Sequence, residues 1–365
     1  MQRNLRLARL AGIALASLAI ATAASDRIHL APKFAPGESL RYQIEMRTSS
    51  TGTTTTPIEN PEGGSKFSQA ISLLVRLDVL PASSPAEVQG SSAAPAPLLP
   101  SPLVNDSNSG VHFRATYEKS QASSESDAFN PSSPSISDQY ARLEGLSVEF
   151  TLQPNGHLAD FKGLGATPPN RMDADRMLSP VLSPGPSLGP SSDGSLPPAS
   201  SFPRDGIAVG QKWTADRPLT GTPLAGLVWH TESTYLRDEP CDSSAAANSA
   251  TPPQPPVAAN SVLGNLCAVI LTHFEILRHG GAHSDATPED YLHNGLRTSG
   301  TWTGSGESLD SISLSSGLLV SSTQTSSQKM DYQIVSASSG SAIHHVGEVT
   351  AQSQINLVSS SQSQP

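Results

Sequence analysis

The chain is short of the residues from which a large core is usually built. Aromatic residues make up 5% of its 365 residues, charged residues 15% and all hydrophobic types together 36%. Ser, Thr, Pro and Gly fill long stretches instead, but these stretches are interrupted by more apolar segments. This composition excludes a chain that is disordered throughout, and it predicts a globular protein with large loops.

Long apolar runs are also scarce, and the clearest one lies at the start of the chain. Residues 1–23 combine spaced arginines, an apolar run over residues 10–21 and the small residues Ala21-Thr22-Ala23. The run is too short to span a bilayer, which needs about 20 residues, so the pattern predicts a cleaved secretory signal peptide. No cysteine stands just after the run, which argues against a lipid anchor. We therefore expect a periplasmic or secreted protein with no integral membrane segment after cleavage.

Basic residues are outnumbered, with 22 Lys and Arg against 32 Asp and Glu and a net charge of -10 at pH 7. Nucleic acid and anionic lipid are bound chiefly through basic surface. The sequence therefore excludes nucleic acid as a main partner.

What the chain does contain is a repeated alternation of apolar and polar residues. A period of two is typical of a strand with one buried and one solvent-facing side. Such alternation predicts strands in four segments of the first half and several of the second: residues 40–46, 71–79, 111–117, 146–152, 229–236, 270–276, 312–314, 330–334 and 343–357. Only residues 170–178, which end before Pro180, resemble a helix. The fold class is therefore mainly β and antiparallel.

Two parts of the chain have similar turn and strand motifs. Gly37-Glu38-Ser39-Leu40 opens the first set of strands and Gly210-Gln211-Lys212-Trp213 the second, while Asn155-Gly156 and Ser316-Gly317 are hairpin signals in corresponding places. We predict two related curved-sheet or half-barrel units, although strands on both sides of a long linker also suit a single curved sheet or barrel. The predicted division is a signal peptide at 1–23, an N-terminal β unit at 24–163, a Pro/Ser-rich linker at 164–208, a C-terminal β unit at 209–358 and a disordered tail at 359–365.

The segments between the strands are rich in Ser, Pro, Thr and Ala. We expect long surface loops at residues 51–66, 81–110, 120–138, 163–206 and 238–261. Cys241 lies near the start of the last of these loops, and Cys267 follows its end. In an exported protein they are expected to form a disulfide that staples the loop.

Several motifs suggest a catalytic or metal site, but their contexts do not support one. Gly185-Pro186-Ser187-Leu188-Gly189 matches a nucleophile elbow, yet no strand precedes it. His273, His279 and His283, followed by Glu289, Asp290 and His293, are weak metal candidates. Their spacing is loose, and a solvated loop explains them better.

Four smaller features have simpler interpretations as well. His344 and His345 are strand neighbours that point to opposite faces, so they cannot share a metal. Asp173 and Asp175 supply too few oxygens for a calcium loop. Gly304-Ser305-Gly306 lacks the lysine of a phosphate loop and is expected to bend a strand or accommodate Trp302. Asn105-Asp106-Ser107 is a formal glycosylation acceptor.

Four features belong together: the leader, the Gly-Glu-x-Leu-x-Tyr motif at 37–42, the Val-Gly-Gln-Lys-Trp motif at 209–213 and the Gly-x-Leu turn at 317–319. In these features the chain resembles a group of exported bacterial β-rich proteins of unknown function. The resemblance runs from about Pro36 to Leu357, and the long Ser/Pro insertions depart from it. It implies an envelope location and a β-rich fold, and it transfers no catalytic residue.

We expect a non-enzymatic binding or envelope-associated role and no cofactor. A curved sheet with an apolar concave face would hold an apolar small molecule, although in small barrels such a face is usually filled by packed side chains. The alternative is a structural or interaction module that meets an envelope component through strand edges or loops. An exported hydrolase that uses Ser187 or His273 is the third hypothesis.

Overall fold

The computed structural model describes residues 27–55, 62–81, 110–127, 136–153, 156–163, 171–182, 202–203, 205–219, 221–241, 266–279 and 287–362. The strands are β1 Glu38–Thr55, β2 Glu62–Val79, β3 Val111–Ser126, β4 Ser147–Leu152, β5 Leu158–Lys162, β6 Lys212–Pro218, β7 Leu227–Pro240, β8 Leu266–Arg278, β9 Leu296–Ser313, β10 Leu319–Ser336 and β11 Ala342–Gln362. The helices are α1 Ile136–Ala141, α2 Arg171–Leu182 and α3 Glu289–His293.

All eleven strands belong to one antiparallel sheet in the order β5-β4-β3-β2-β1-β11-β10-β9-β8-β7-β6. The first strand of the chain, β1, pairs with the last, β11, over almost its whole length. The sheet is not closed within the described residues, since β5 and β6 each pair on one side only. The mainly antiparallel β fold is confirmed. Of the two arrangements that the sequence allowed, one curved sheet is the one observed.

One face of the sheet carries the main core, and we call it the inner face. Leu40, Tyr42 and Ile44 point to it from β1, and the phenolic hydroxyl of Tyr42 donates a hydrogen bond to the carbonyl of Leu319 at 2.9 Å. Tyr42 is fully buried, and burial together with the nearby Glu38 raises its pKa. Around these residues, the inner face is therefore part of a tightly packed interior.

Helix α2 and the segment before β1 fill this interior. Met177, Leu178, Val181 and Leu182 form an apolar stripe on α2 and join the core. In the N-terminal segment, Phe34 packs edge-on against Phe113 of β3, with ring centroids 4.9 Å apart. The same segment reaches the β9–β10 turn, where the amide of Lys33 donates to the carbonyl of Ser316 at 2.8 Å. It therefore connects strands that lie far apart in the sheet order.

Several elements differ from the sequence predictions. The segment 51–66 is not a loop for most of its length, because β1 continues to Thr55 and β2 begins at Glu62. Similarly, β3 extends to Ser126 and β11 to Gln362, so β11 includes the first four residues of the predicted tail. Alternating Thr and Ser give no hydrophobic signal, although Thr suits strands well.

Helix α2 lies within the predicted linker and runs past Pro180 to Leu182. Proline interrupts a helix by removing one hydrogen bond. Here the burial of Val181 and Leu182 keeps the last turn helical. The prediction that this helix ends before Pro180 was therefore wrong.

Cys241 and Cys267 form a disulfide that links the end of β7 to the start of β8, with 5.0 Å between their Cα atoms. The predicted pairing is confirmed. In the part of the chain that the structure describes, no helix is long and apolar enough to cross a membrane. The predicted signal peptide at 1–23 lies outside the described residues.

Candidate ligand-binding surface

The burial of inward side chains changes at one row of cross-strand neighbours on the inner face, which we call the boundary row. Its members are Ser120, Leu73, Ile44, Ile355, Ser322, Asp310, Ile270 and Tyr235, from β3 to β7 in sheet order. All eight are buried. The side chains on the Tyr42 side of this row form the closed half of the inner face, which contains the core described above.

On the other side of the boundary row lies the open half. Most of its inward positions on the five central strands are half-buried, although Ser308 and Thr298 on β9 are buried and Ser65 on β2 and Ile343 on β11 are exposed. The half-buried positions include Phe67, Gln69 and Ile71 on β2; Met46, Thr48, Ser50, Gly52 and Thr54 on β1; His345, Gly347, Val349, Ala351 and Ser353 on β11; Gln324, Ser326, Gln328, Met330 and Tyr332 on β10; and Trp302, Gly304 and Gly306 on β9. The inner face is therefore filled at one end and mostly half-buried at the other.

A second hydrophobic cluster borders the open half. It contains Leu224, Leu227, Trp229, Phe274 and Ile276, and Leu219, Trp302 and Tyr332 pack against it. The rings of Trp229 and Phe274 meet edge to face, with centroids 5.3 Å apart. We call this cluster the apolar wall. It is separate from the main core and gives the open half one strongly apolar side.

Glycines on β9 let the side chains of the wall lie against the sheet. A Cβ atom at Gly306 would lie 2.5 Å from Cζ of Phe274, and one at Gly304 would lie 2.9 Å from Cδ1 of Ile276. Neither approach is possible for a residue with a side chain. The glycines therefore accommodate Phe274 and Ile276, not Trp302 as the sequence suggested.

From the wall, a row of rings continues across the open half. Trp302 and Tyr332 have nearly parallel rings with centroids 6.4 Å apart, and Tyr332 and His345 have ring centroids 5.1 Å apart. His345 Nδ1 lies 3.1 Å from the hydroxyl of Thr54, and Trp302 Nε1 donates to Oε1 of Gln328 at 3.1 Å. Partial burial, with a smaller contribution from Tyr291, raises the pKa of Tyr332. These contacts order rings that would otherwise be free to rotate.

Charge separates the two faces of the sheet. None of the half-buried inward positions named above is an Asp, Glu, Lys or Arg. The outward positions of the same strands and of β8 carry many charges: Glu45, Arg47, Lys66, Glu275, Glu307, Lys329, Asp331 and Glu348. A charged surface stays hydrated, so the two faces of the sheet differ in how readily water can be removed from them.

A belt of buried polar side chains lies where the two halves meet. Asp310, 3% exposed, accepts hydrogen bonds from the hydroxyls of Ser322 at 2.6 Å and Ser308 at 3.3 Å. Burial raises the pKa of the Asp310 carboxyl to about 6, and the two serine hydrogen bonds oppose that rise. Next to them, the hydroxyls of Ser233 and Thr272 are 2.8 Å apart.

Two grooves in the described part of the chain lie on the outer face, and each includes charged side chains in its lining. One of about 460 Å³ runs across β2, β1, β11, β10 and β9 and includes Thr51, Thr303, Lys66 and Lys329. The other, of about 440 Å³, includes Arg47 and several serines. Their charged linings distinguish them from the inner face.

The structure separates the residues that the sequence grouped as metal candidates. His273 lies on the outer side of β8, with Nδ1 3.7 Å from Glu307, whereas His279 follows β8 and lies 3.7 Å from Asp216. His293 is on α3, paired with Glu289. His283 lies outside the described residues. Among the residues that are described, no group of three or more His, Cys, Asp or Glu side chains is arranged to hold a metal.

The remaining sequence motifs are also distributed over separate places. His344 points outward, with Nε2 2.7 Å from Asp331, while His345 points inward, as their adjacency predicted. Asp173 and Asp175 lie within α2 and not in a loop. Ser187 and its flanking glycines, and Asn105-Asp106-Ser107, lie outside the described residues. Sequence reasoning missed Asp310 altogether, because a single Asp beside serines has no recognisable motif.

No family model and no curated protein matches the chain. A solved structure of lipid–protein interactions in lipovitellin aligns with 91% of this chain, at 12% identity and a TM-score of 0.38. The chain spans 26% of the length of that lipovitellin chain. A likeness at this level does not indicate what this chain binds. The resemblance to exported bacterial β-rich proteins stays a prediction.

Proposed function

We propose that this chain is a non-enzymatic binding protein that holds a largely apolar small molecule on the open half of its inner face. The observation that carries the proposal is the contrast along this face, which is packed and buried up to the boundary row and half-buried and uncharged beyond it. A surface of this kind is unusual on a water-facing side of a sheet, where polar and charged residues normally alternate with the core.

The apolar wall supplies the binding energy in this proposal. Trp302 and Tyr332 are half-buried and adjoin the buried Trp229 and Phe274, so a ligand chain laid along them would remove further apolar surface from water. Covering roughly 200 Å² would yield on the order of 5 kcal/mol, before the cost of association. Reversible binding is therefore expected.

The proposed location is the periplasm or the extracellular space. The disulfide between Cys241 and Cys267 supports it, because such bonds persist in oxidising compartments. The predicted leader at 1–23 points the same way. In such a compartment the ligand would be an apolar molecule of the cell envelope or its surroundings.

Two neighbouring residues on β10 give a matched test. Met330 pairs with the inward Trp302 and is half-buried, so it points into the open half, whereas the exposed Lys329 points outward. We expect Met330→Glu to lower the affinity for the apolar dye N-phenyl-1-naphthylamine at least tenfold, since a charge would have to be desolvated beneath the ligand. Lys329→Glu should leave the affinity unchanged. Equal effects of the two variants, or no dye binding by the unsubstituted protein, would contradict the proposal.

An interaction module is the second candidate, supported by the edge strands. Within the described residues, β5 and β6 each have one sheet neighbour, which leaves backbone groups available for another strand. Crosslinking from the position of Thr214 on β6 tests this role. Specific capture of one envelope protein, lost when Ala215→Pro disrupts the edge, would favour it over ligand binding.

A further inference from the structure

The carboxylate of Asp310 is buried without a cation. Its cross-strand neighbours are Ile270 and Ser322, and in the described part of the chain no Lys, Arg or His faces it from β8 or β10. Two serine hydroxyls donate to it, one to each oxygen. A carboxylate accepts about four hydrogen bonds, so half of its capacity is unused. Buried charges in proteins are ordinarily paired, which makes this one an exception.

The position of Asp310 relates its carboxylate to the proposed ligand. The next inward positions toward the open half, Ser308 on β9 and Gln324 on β10, are both polar, and Gly306 and the apolar wall follow. A molecule lying along the wall would therefore have one end near the polar belt. The other end would lie among the rings of Trp302 and Tyr332.

We infer that the ligand is a single-chain amphiphile whose primary ammonium head binds the Asp310 carboxylate while its chain lies on the apolar wall. An ammonium supplies a positive charge and three donors, which the site lacks. A hydroxyl head would supply a donor but leave the charge uncompensated, and a carboxylate head would add repulsion. This inference rests on the proposed function and adds the class of head group.

Three probes with the same alkyl chain separate the contribution of the head group to affinity from that of the tail: dodecylamine, dodecanol and dodecanoate. Each is titrated against the bound dye N-phenyl-1-naphthylamine at pH 7.5. We expect dodecylamine to bind roughly tenfold more tightly than the other two, which is the effect of one charge-assisted hydrogen bond. Asp310→Asn should remove this advantage and leave the affinity for dodecanol unchanged.

One further variant keeps the test decisive. Glu348→Gln removes an exposed carboxylate on the outer face and should retain the preference for dodecylamine. If all three probes bind equally, or if Asp310→Asn keeps the preference, the head-group inference is overturned while apolar binding stands. If none of the three displaces the dye and the dye itself does not bind, the proposed function fails as well.

Discussion

The two halves of the inner face are made by the same strands but have different surfaces. On β2, the inward residues Leu73, Val75 and Leu77 are fully buried, whereas Ile71 and Phe67 on the same strand and face are half-buried. The two groups differ in what covers them: α2 and the N-terminal segment pack onto the closed half. A single sheet can thus provide both the core of a protein and an exposed uncharged surface.

The largest expected effect compares two positions on β2. Leu73→Ala removes a fully buried side chain from the boundary row and should lower the free energy of unfolding by about 4 kcal/mol. Ile71→Ala, two residues away on the same face, should cost less than about half of that, since its side chain is already partly hydrated. Urea unfolding with the disulfide intact measures both. Equal losses would mean that the two halves are packed alike.

Removing the disulfide should have the next largest effect. It closes a loop with a sequence separation of 26, for which chain entropy predicts about 3.5 kcal/mol. The variant that carries both Cys241→Ser and Cys267→Ser should therefore unfold at lower urea, and amide hydrogen exchange should quicken at the linked ends of β7 and β8. Faster exchange at Trp302 and Tyr332 in the open half would contradict this localisation.

The buried carboxyl of the boundary row makes stability depend on pH. The pKa of Asp310 is about 6 in the folded protein against 3.8 for an ordinary Asp, so folding favours the protonated form. The contribution of Asp310 to the free energy of unfolding is fully present below about pH 3.8 and is lost as the pH rises through 6. Asp310→Asn should therefore stabilise the protein by about 3 kcal/mol at pH 8 and by almost nothing at pH 3.5.

Unfolding midpoints of both proteins across this pH range provide the measurement. The matched control is Glu348→Gln, which changes an exposed carboxylate on the outer face. It should not reproduce the pH dependence. A pH-independent difference between Asp310→Asn and the unsubstituted protein would show that the Asp310 side chain is hydrated.

The smallest effect is expected on the outer face. Arg114 donates to Glu149 across β3 and β4, with Nη2 2.7 Å from Oε1, and this hydrogen bond holds the pKa of Glu149 below its usual range. Both side chains are exposed, so water screens the pair. Arg114→Gln should leave the unfolding midpoint unchanged within error. A clear loss of stability would show that the outer face contributes to folding more than its exposure suggests.

Sequence alone predicted the parts of the sheet that alternate strongly in hydrophobicity. The segments around Tyr42, Leu73 and Phe113 were found this way, and all three lie at inward positions of the sheet. The strand extensions at 51–55 and 120–126 were missed, because their Ser and Thr residues give no apolar period. These residues form strands because they pair with strands that are distant in sequence.

The candidate site was predictable only in outline. A concave apolar surface was expected, but its division into closed and open halves depends on α2, which sequence reasoning placed in a linker. Asp310 gave no signal, because its significance comes from burial and from Ser308 and Ser322. The disulfide was predicted because the leader indicates export and two cysteines leave a single pairing.

The central claim is that an apolar chain binds beside Trp302. Its most direct test uses two variants that each retain one tryptophan, either Trp302 in the open half or Trp213, which packs against Phe202 with ring centroids 6.1 Å apart. The methyl ester of nitroxide-labelled stearic acid is added, and quenching of each tryptophan is measured. The account predicts strong quenching of Trp302 and little of Trp213. Equal quenching of both, or stronger quenching of Trp213, would contradict it.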